Sequence, residues 1–353
     1  MTETTKASPR LTIDNDPTAS DEVAIDLIYA NPLEALGDPY PTLRNLWNRV
    51  APDGTLTVSY GLPGSFRLQS ADVANLLTLA SFEPVSAYKS GKGRSFVARR
   101  LPRSSTQLSC TVVVPCRNEV DNVANLVDRV PAMGTGTELV FVDGASTDGT
   151  PERIEELIAS HPSRDIKLIR QQGNTGKAGA TFQGFAAARG DVVMILDADM
   201  TVRPEDLPRF YDALAEGVAG FANGTRLVYP MASGAMPGLN NIGNKFFSRY
   251  LSWLIGSRIS DTLCGTKAVL KRNVPALLEA RKLFGFHDPW GDFDLLMGAA
   301  QLKLKVVDVP VRYEAREAGE SKMRPFAHGL ALAETCLTGA RLLKLQRRKS
   351  NPS

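Results

Sequence analysis

The chain has 353 residues, which corresponds to about two domains, and its hydrophobic content of 43% and charged content of 22% are typical of a folded globular protein. A total of 41 Lys and Arg against 38 Asp and Glu leaves a net charge of +3, too small to indicate a nucleic-acid-binding protein. The four cysteines and three histidines do not have the spacing of a zinc site. A reducing, cytoplasmic compartment is therefore expected.

The first hundred residues predict a small module of their own. Residues 1–20 are polar, lack the apolar region of a secretory signal and predict a disordered tail. Residues 21–98 alternate strand-like and helix-like segments in the order β-α-β-α-β-β. This order resembles the C-terminal half of a class I methyltransferase fold, without the glycine-rich loop that would hold S-adenosylmethionine. We expect a packing or regulatory module, followed by a polar, basic linker over 99–109.

A second α/β domain is predicted over 110–330. Apolar strand-like segments alternate with helix-like ones, the first helix spanning about 119–129. This alternation is typical of a parallel sheet with helices on both faces. The predicted strands are 110–115, 138–144, 166–171 and 191–199.

Two carboxylates end the fourth of these strands, DVVMILDAD. At a period of two, Asp197 and Asp199 leave the strand on the same face. Two like charges about 4 Å apart repel by roughly 4 kcal/mol at an effective dielectric constant of about 20, so a cation is their natural partner. Carboxylates suit Mg²⁺ or Mn²⁺ shared with substrate phosphates. The alternative is a pair of acids that cap the helix predicted just after Arg203.

Polar residues also follow the first three strands, where open α/β sheets bind their ligands. Glu119 and Asp143 are placed to accept hydrogen bonds from a nucleobase and a ribose, whereas Asp148 is also suited to capping the next helix. The glycine-rich segment 171–181 permits close backbone approach, and its Lys177 offers a charge to phosphate. The spacing differs from a Walker A loop, and no Gly-x-Gly-x-x-Gly follows the first strand, so NAD-type binding is not expected.

These motifs, PCRNE, DGASTDGT, GNTGK and DAD in that order, resemble family 2 glycosyltransferases of the GT-A fold. Within the family, the segments NGTRLV, SDTLCGTKA and DVPVRYEAREAGESKM are similar to those of dolichol- or polyprenol-phosphate sugar synthases. The resemblance implies an α/β fold with a mainly parallel sheet and helices on both faces, preceded here by the small α/β module.

The resemblance also implies roles for individual residues. Asp197 and Asp199 would hold Mg²⁺ or Mn²⁺ on the diphosphate of a sugar donor. Arg226, Arg316 and Lys322 would lie near phosphates of the donor or the acceptor. The residues implied to bind the nucleotide sugar are Pro115, Arg117, Glu119, Asp143, Asp148, Lys177 and Asp197.

The segment GDFDLL at 291–296 supplies two further carboxylates. Many inverting GT-A enzymes use a late acidic residue as general base, which implies a catalytic role for Asp292 or Asp294. A lipid phosphate is already ionised near neutral pH, so positioning of the acceptor is a second possible role. A third is structural, with Asp292 as a helix N-cap and Asp294 in the first turn. For the nearby His287 we expect a structural role.

The sequence thus predicts a metal-dependent, inverting glycosyltransferase that moves a sugar from a UDP- or GDP-sugar to a polyprenyl or dolichyl phosphate. Two alternatives stay open: transfer to a saccharide or peptide acceptor, and a noncatalytic scaffold that binds a nucleotide sugar. Intact Asp197, Asp199 and Lys177 favour an enzyme. The sequence predicts neither the sugar nor the oligomeric state.

If the acceptor is a polyprenyl phosphate, we expect the enzyme to act at a membrane surface, because each CH₂ of the polyprenyl chain that is exposed to water costs about 0.8 kcal/mol. No window of about 18 apolar residues predicts a spanning helix. The amphipathic segment 246–255 predicts a core helix, an interfacial helix or both, and 331–353 predicts an amphipathic helix with a basic tail. An apolar stripe that begins just before this segment and continues into it has two interpretations. Either the stripe faces lipid and the protein is peripheral on the cytoplasmic membrane face, or the stripe packs on the protein itself. The stripe and its cations are Phe326, Leu330, Ala333, Leu337, Arg341, Lys344, Arg347, Arg348 and Lys349.

Overall fold

The structure is a computed structural model, in which the chain forms two compact units. The first comprises Met1–Ser105 with Val228–Pro230, and the second comprises Thr106–Leu227 with Met231–Ser353. The residues that the structure describes are 8–13, 23–61, 68–104, 106–173, 176–230, 238–284, 288–314 and 334–345.

The first unit is built on a five-stranded sheet. Its strands and α-helices are β1 (Ser8–Ile13), β2 (Ala24–Pro32), α1 (Pro39–Arg49), β3 (Val50–Tyr60), α2 (Ser70–Leu79), β4 (Phe82–Ser90) and β5 (Gly93–Arg100). The strand order is β1-β2-β3-β5-β4, with β1, β2 and β3 parallel and β5 antiparallel to both its neighbours. From β2 onward this is the predicted β-α-β-α-β-β order, while the methyltransferase resemblance stays a prediction.

β1 corrects the prediction of a disordered tail over residues 1–20. It pairs in parallel with β2, from Ser8 opposite Ala24 to Ile13 opposite Tyr29. The ladder gives the backbone N–H and C=O groups partners, and every second side chain turns inward until Ile13 is buried. The polar composition of the segment hid this short strand.

Trp47 of α1 binds the segment that was predicted to be a linker. Its indole Nε1 donates a hydrogen bond to the carbonyl oxygen of Leu101 at 2.9 Å. The guanidinium carbons of Arg100 and Arg103 lie 3.7 and 4.2 Å from the centroid of the Trp47 ring. Each such cation–π contact contributes about 0.5–1 kcal/mol at an exposed site. These basic residues therefore have a structural role in the first unit.

The second unit is built on a seven-stranded sheet. Among the residues described, its strands are β6 (Cys110–Cys116), β7 (Thr137–Asp143), β8 (Asp165–Arg170), β9 (Val192–Ile195), β10 (Phe221–Thr225), β11 (Lys267–Leu270) and β12 (Val306–Pro310). Its α-helices are α3 (Val123–Arg129), α4 (Thr150–Ser160), α5 (Gly176–Ala187), α6 (Leu207–Ala215), α7 (Gly238–Ile255), α8 (Val274–Phe284), α9 (Asp292–Gln301) and a helix over 334–345 that ends in the π-helical turn Arg341–Leu345.

The strand order is β12-β10-β11-β9-β6-β7-β8. β6 to β9 are parallel, β11 is antiparallel to both its neighbours, and β12 is parallel to β10. The first three strands predicted from the sequence are confirmed to within one residue at each end. The fourth is confirmed only over Val192–Ile195, shorter than the predicted 191–199, so Asp197 and Asp199 lie after β9 rather than in it. Within the described ranges, no helix is both long and apolar enough to cross a bilayer.

Both faces of the central strands are buried. Successive strand residues point to opposite faces, yet Val112 and Val113 of β6 are both fully buried. On one face α5 approaches closely, because a Cβ at Gly184 would collide with Val113. α4 contacts β7 and β8, and α6 contacts β9, β10 and β11. A mainly parallel sheet covered on both faces confirms the predicted fold class.

The four cysteines are free and buried. Burial raises the pKa of each thiol, that of Cys336 to about 12. Cys116 and Cys264 are therefore small buried side chains with little of the thiolate that a nucleophile needs.

Candidate active site

The loops that follow β6 and β7 are joined by hydrogen bonds. The backbone N–H of Asn118 donates to Ser146 Oγ at 2.9 Å, and the N–H of Thr147 donates to Asn118 Oδ1 at 2.9 Å. The N–H of Glu119 donates to Thr150 Oγ1 at 2.9 Å. α3 consequently begins at Val123, four residues later than predicted, because the preceding residues form this loop.

Asp148 organises the same region. Its Oδ2 accepts from the N–H of Val120 at 3.2 Å, and its Oδ1 accepts from the N–H and Oγ1 of Thr150 at 3.0 and 2.6 Å. Burial opposes ionisation, but these hydrogen bonds outweigh it and hold the pKa of Asp148 below its ordinary value. Asp148 thus makes the hydrogen bonds expected of its structural alternative, and its nucleotide role stays a prediction.

The carboxylates predicted to bind a nucleotide surround one buried thiol. Burial raises the pKa of Cys116, and the charges of Asp143, Glu119 and Asp148 raise it further. Asp143 is 3% exposed and accepts from the N–H of Ser146, while Glu119 is half-buried. Since β6 and β7 are parallel neighbours, this acidic group lies at the carboxyl edge of the sheet. Pro115, near the end of β6, is half-buried, and Arg117, on the same loop as Glu119, is exposed.

Lys177 and Asp197 form an ion pair at the end of β9. The Lys177 Nζ atom, in the first turn of α5, lies 2.6 Å from Asp197 Oδ1, and both side chains are partly exposed. Burial disfavours the charged ammonium, but the Asp197 and Asp292 carboxylates, with a smaller contribution from Asp199, hold the pKa of Lys177 above its ordinary value. The structure therefore brings together four residues that the sequence located in three separate motifs.

Asp199 lies in a tight turn beside this pair. Its Oδ1 accepts from the N–H and Oγ1 of Thr201 at 3.1 and 2.9 Å, and the intervening Met200 has a positive φ of 50°. No group of three or more His, Cys, Asp or Glu among the described residues forms a complete metal site. The metal-binding role of Asp197 and Asp199 stays a prediction.

Gly265 contributes to the site without a side chain. A Cβ at this position would collide with the carboxylate of Asp197. The backbone that precedes β11 therefore packs directly against Asp197. The sequence analysis singled out the segment SDTLCGTKA but not this glycine, whose requirement is visible only once β9 and β11 are neighbours.

Asp292 lies between two lysines. Its Oδ1 accepts from Lys267 Nζ at 2.8 Å, and its charge also acts on Lys177. Lys267 is completely buried in β11. The N-cap position considered for Asp292 is occupied by Gly291, and Asp292 is the first residue of α9. The side chain that accepts a hydrogen bond from the first turn is that of Asp288, whose Oδ2 accepts from the N–H of Phe293 at 2.7 Å. Sequence reasoning missed Lys267 and Asp288, although an Asp-Pro pair ahead of a helix is a signal for the latter.

Asp294 has a different environment from Asp292. Its side chain is completely buried and its Oδ2 accepts from Arg281 Nε of α8 at 3.0 Å. Burial, followed by the charge of Asp288, raises the pKa of Asp294 to about 7. The catalytic role suggested for Asp294 is not supported by this geometry, because a general base has to reach the substrate.

Of the three residues predicted to lie near phosphates, Arg226, Arg316 and Lys322, the structure describes Arg226. Arg226 makes a buried, two-pronged pair with Asp261, with Nε 2.6 Å from Oδ2 and an Nη2 atom 2.9 Å from Oδ1. This pairing favours a structural role, and its phosphate role stays a prediction. Arg316, Lys322 and His287 lie outside the described residues.

Comparison with known proteins identifies the class. The family model described as Glycosyl transferase family 2 matches residues 111–274. Polyprenol monophosphomannose synthase of Mycolicibacterium smegmatis is 30% identical over 217 residues, which cover 60% of this chain and 80% of that protein. Undecaprenyl-phosphate mannosyltransferase of Micrococcus luteus is 28% identical over 225 residues, which cover 60% of this chain and 86% of that protein. The chain belongs to glycosyl transferase family 2, as the motifs implied.

Other relatives share a smaller part of their length. Undecaprenyl-phosphate 4-deoxy-4-formamido-L-arabinose transferase of Edwardsiella ictaluri is 28% identical over 222 residues. The match covers 60% of this chain and 62% of that protein. Among solved structures, the mannosyltransferase PcManGT of Pyrobaculum calidifontis, in complex with GDP-Man and Mn²⁺, has a TM-score of 0.44 at 20% identity. That match covers 71% of this chain and 78% of PcManGT.

Proposed function

We propose that the chain transfers a sugar, with inversion, from a UDP- or GDP-sugar to a polyprenyl phosphate. The observation that carries this proposal is the Lys177–Asp197 pair, with Asp199 and Asp292 beside it, at the end of β9 in a family 2 domain. The names of several relatives support the acceptor class, because those proteins are called polyprenol- or undecaprenyl-phosphate transferases.

Asp197 and Asp199 would hold Mg²⁺ or Mn²⁺ in this function. Their carboxylate oxygens suit such ions, and water and donor phosphates would complete an open coordination shell. The bound ion would supply positive charge to the diphosphate leaving group. Lys177 pairs with Asp197 in the structure and would contribute its charge to the same phosphates.

The remaining site residues would orient the two substrates. Glu119, Asp143 and Asp148 would bind the nucleoside, together with Pro115 near the end of β6 and Arg117 on the loop that follows. Asp292 would position the acceptor rather than remove a proton from it, because a phosphate monoester is already ionised near neutral pH. This role fits the geometry of Asp292, whose Oδ1 lies 2.8 Å from Lys267 Nζ.

The acceptor would also require the enzyme to work at a membrane surface, since a polyprenyl chain stays in the bilayer. We therefore propose a peripheral protein on the cytoplasmic membrane face. A single experiment tests the function: the purified chain is incubated with a panel of UDP- and GDP-sugars, Mn²⁺ and polyprenyl phosphate, and the products are identified by mass spectrometry. A glycosylated polyprenyl phosphate is expected. Donor binding without any product would indicate a noncatalytic protein, and product only from a saccharide or peptide would replace the acceptor.

A further inference from the structure

Three of the exposed large hydrophobic side chains of the second unit belong to one pair of neighbouring helices. Phe246 and Trp253 of α7 are 66% and 60% exposed, and Leu337 of the 334–345 helix is 60% exposed. Phe246 and Trp253 are seven residues apart and therefore lie on the same face of α7. Scattered single hydrophobic residues on a surface are ordinary, whereas a grouped set marks a site of interaction.

Contacts between the two helices make this group continuous. The ring of Tyr250 lies 5.8 Å from that of Trp253, and its hydroxyl donates to the carbonyl oxygen of Cys336 at 3.0 Å. Leu337 is the next residue along the chain. We call the group formed by the exposed Phe246, Trp253 and Leu337 and the half-buried Tyr250 the aromatic face.

The aromatic face is not needed to hold α7 in place. On the opposite side of the helix, Leu251 and Leu254 are buried in the core, and the ring of Phe247 lies 5.5 Å from that of Phe293 in α9. α7 is therefore anchored through its inner side, while its outer side presents rings to solvent. A helix with one anchored and one exposed apolar side has hydrophobic area left for a partner.

The described parts of the two helices carry three exposed charged side chains, two arginines and one glutamate. Arg249 follows Phe246 by three residues, and Arg341 follows Leu337 by four, so each adjoins an exposed apolar side chain on its own helix. Both arginines are exposed, as is the one acid of the described part of the second helix, Glu334. Tryptophan and tyrosine beside arginine are typical of surfaces that lie at the boundary between lipid headgroups and acyl chains.

We propose that the aromatic face docks on the surface of an anionic lipid bilayer, with Phe246, Trp253 and Leu337 inserted and Arg249 and Arg341 at the headgroups. This proposal rests on the proposed polyprenyl phosphate acceptor, which has to be reached in a bilayer. It locates the membrane contact on described residues of α7, whereas Phe326, Leu330 and Ala333 of the stripe expected from the sequence lie outside them.

The test is flotation of the full chain with vesicles of phosphatidylcholine and phosphatidylglycerol in equal parts. The unaltered protein should float with the vesicles, less so at high salt, because headgroup attraction is screened. Phe246→Ser and Trp253→Ser should each lower the vesicle partition coefficient about tenfold, as expected for loss of a buried aromatic side chain. Arg249→Gln should lower it about fivefold. The matched control is Ile158→Ser on α4, which removes an exposed aliphatic side chain elsewhere and should bind like the unaltered protein.

Transferase activity separates this inference from the proposed function. Thermal unfolding is measured first, to show that the variants are folded. We expect them to fold, because the side chains that are replaced are exposed. Trp253→Ser should keep turnover with a short, water-dispersed prenyl phosphate and lose it only with acceptor in vesicles. Vesicle binding without any transferase activity would contradict the proposed function and leave the docking surface intact. Variants that float like the unaltered chain would overturn the docking surface, as would an aromatic face that instead joins two copies in analytical ultracentrifugation.

Discussion

The two carboxylates that follow β9 have different partners, and each gives a test of the proposed metal site. Asp197→Asn or Asp199→Asn should lower kcat/KM by about a hundredfold or more, the usual cost of losing one electrostatic contact to a transition state. Binding of Mn²⁺, followed by electron paramagnetic resonance, should weaken in parallel. The fold should persist, because Lys177 keeps the nearby charge of Asp292.

The control for these variants is Glu152→Gln, which neutralises an exposed acid in the first turn of α4. It should leave both Mn²⁺ binding and turnover unchanged. If Asp197→Asn turned over as well as the unaltered chain, the assignment of the metal site would be wrong.

Gly265 tests whether the position of Asp197 matters as well as its charge. Gly265→Ala adds a methyl group where the carboxylate of Asp197 lies, so the carboxylate has to move. We expect a fall in turnover of about tenfold or more, since small displacements of reacting groups are costly. Gly136→Ala is the matched control, because a Cβ there meets no atom within 4 Å. Equal activity of the two variants would show that the close packing is unimportant.

β11 and α9 are joined by the buried pair of Lys267 and Asp292. Lys267→Met should destabilise the protein by about 3–5 kcal/mol, because it leaves Asp292 buried without its partner. Adding Asp292→Asn should recover about 1–3 kcal/mol of that loss in urea unfolding. The exposed pair Lys282–Glu279 supplies the comparison, and Lys282→Met should cost less than about 1 kcal/mol. A double variant no more stable than the single one would mean that the two side chains are not coupled.

The contact of α8 with α9 predicts a dependence of stability on pH. The pKa of Asp294 is raised to about 7 from 3.8, so between these values the folded chain binds a proton more tightly than the unfolded chain does. Stability contributed by this group is therefore present at low pH and is lost as pH rises towards 7, by up to about 4 kcal/mol. Asp308, whose pKa burial raises to about 6, acts with the same sign.

Asp294→Asn should remove part of this loss while Arg281 keeps its contact with the ring of Phe182, 4.3 Å away. The measurement is the urea midpoint at about pH 5 and about pH 8, where the variant should change less than the unaltered chain. An exposed substitution, Asp128→Asn, should leave the difference as it is. If the urea midpoints at the two pH values differ as much in Asp294→Asn as in the unaltered chain, the pH dependence comes from other groups.

For the molecule as a whole, the first unit is predicted not to act as a methyltransferase. Residues 21–98 have no glycine-rich loop after a first strand, and that loop is what would hold S-adenosylmethionine. Calorimetric titration of the full chain with S-adenosylmethionine should give no binding heat. Binding in the micromolar range would show that the unit has its own cofactor site.

The sequence predicted long or strongly apolar elements well and short mixed ones poorly. β6 and β7 are apolar runs buried on both faces, a pattern that is independent of the rest of the chain. β10 was not identified, because its Asn223-Gly224 pair is typical of a turn. In the fold, Asn223 Nδ2 donates to Asp308 Oδ1 at 2.8 Å and to the carbonyl oxygen of Asp261 at 2.9 Å, so tertiary contacts satisfy a polar side chain inside a strand.

The residues of the candidate site also divide into those that could be located from the sequence and those that could not. Residues at strand ends, such as Asp143 and Asp197, could be located from the strand pattern, because parallel strands end at one edge. Lys267 could not be located, since it reaches its partner Asp292 from a distant part of the chain. Arg226 shows the same limit, because only the fold reveals Asp261 as its partner.

The burial of all four cysteines has a practical consequence for chemistry performed on this protein. Each thiol is buried with a raised pKa, so little thiolate is present at neutral pH to react with maleimides or peroxide. A single cysteine introduced at an exposed position would then be the preferred point of attachment for a fluorophore or a spin label, without removal of the native cysteines. The same burial protects the chain from intermolecular disulfides during purification in air.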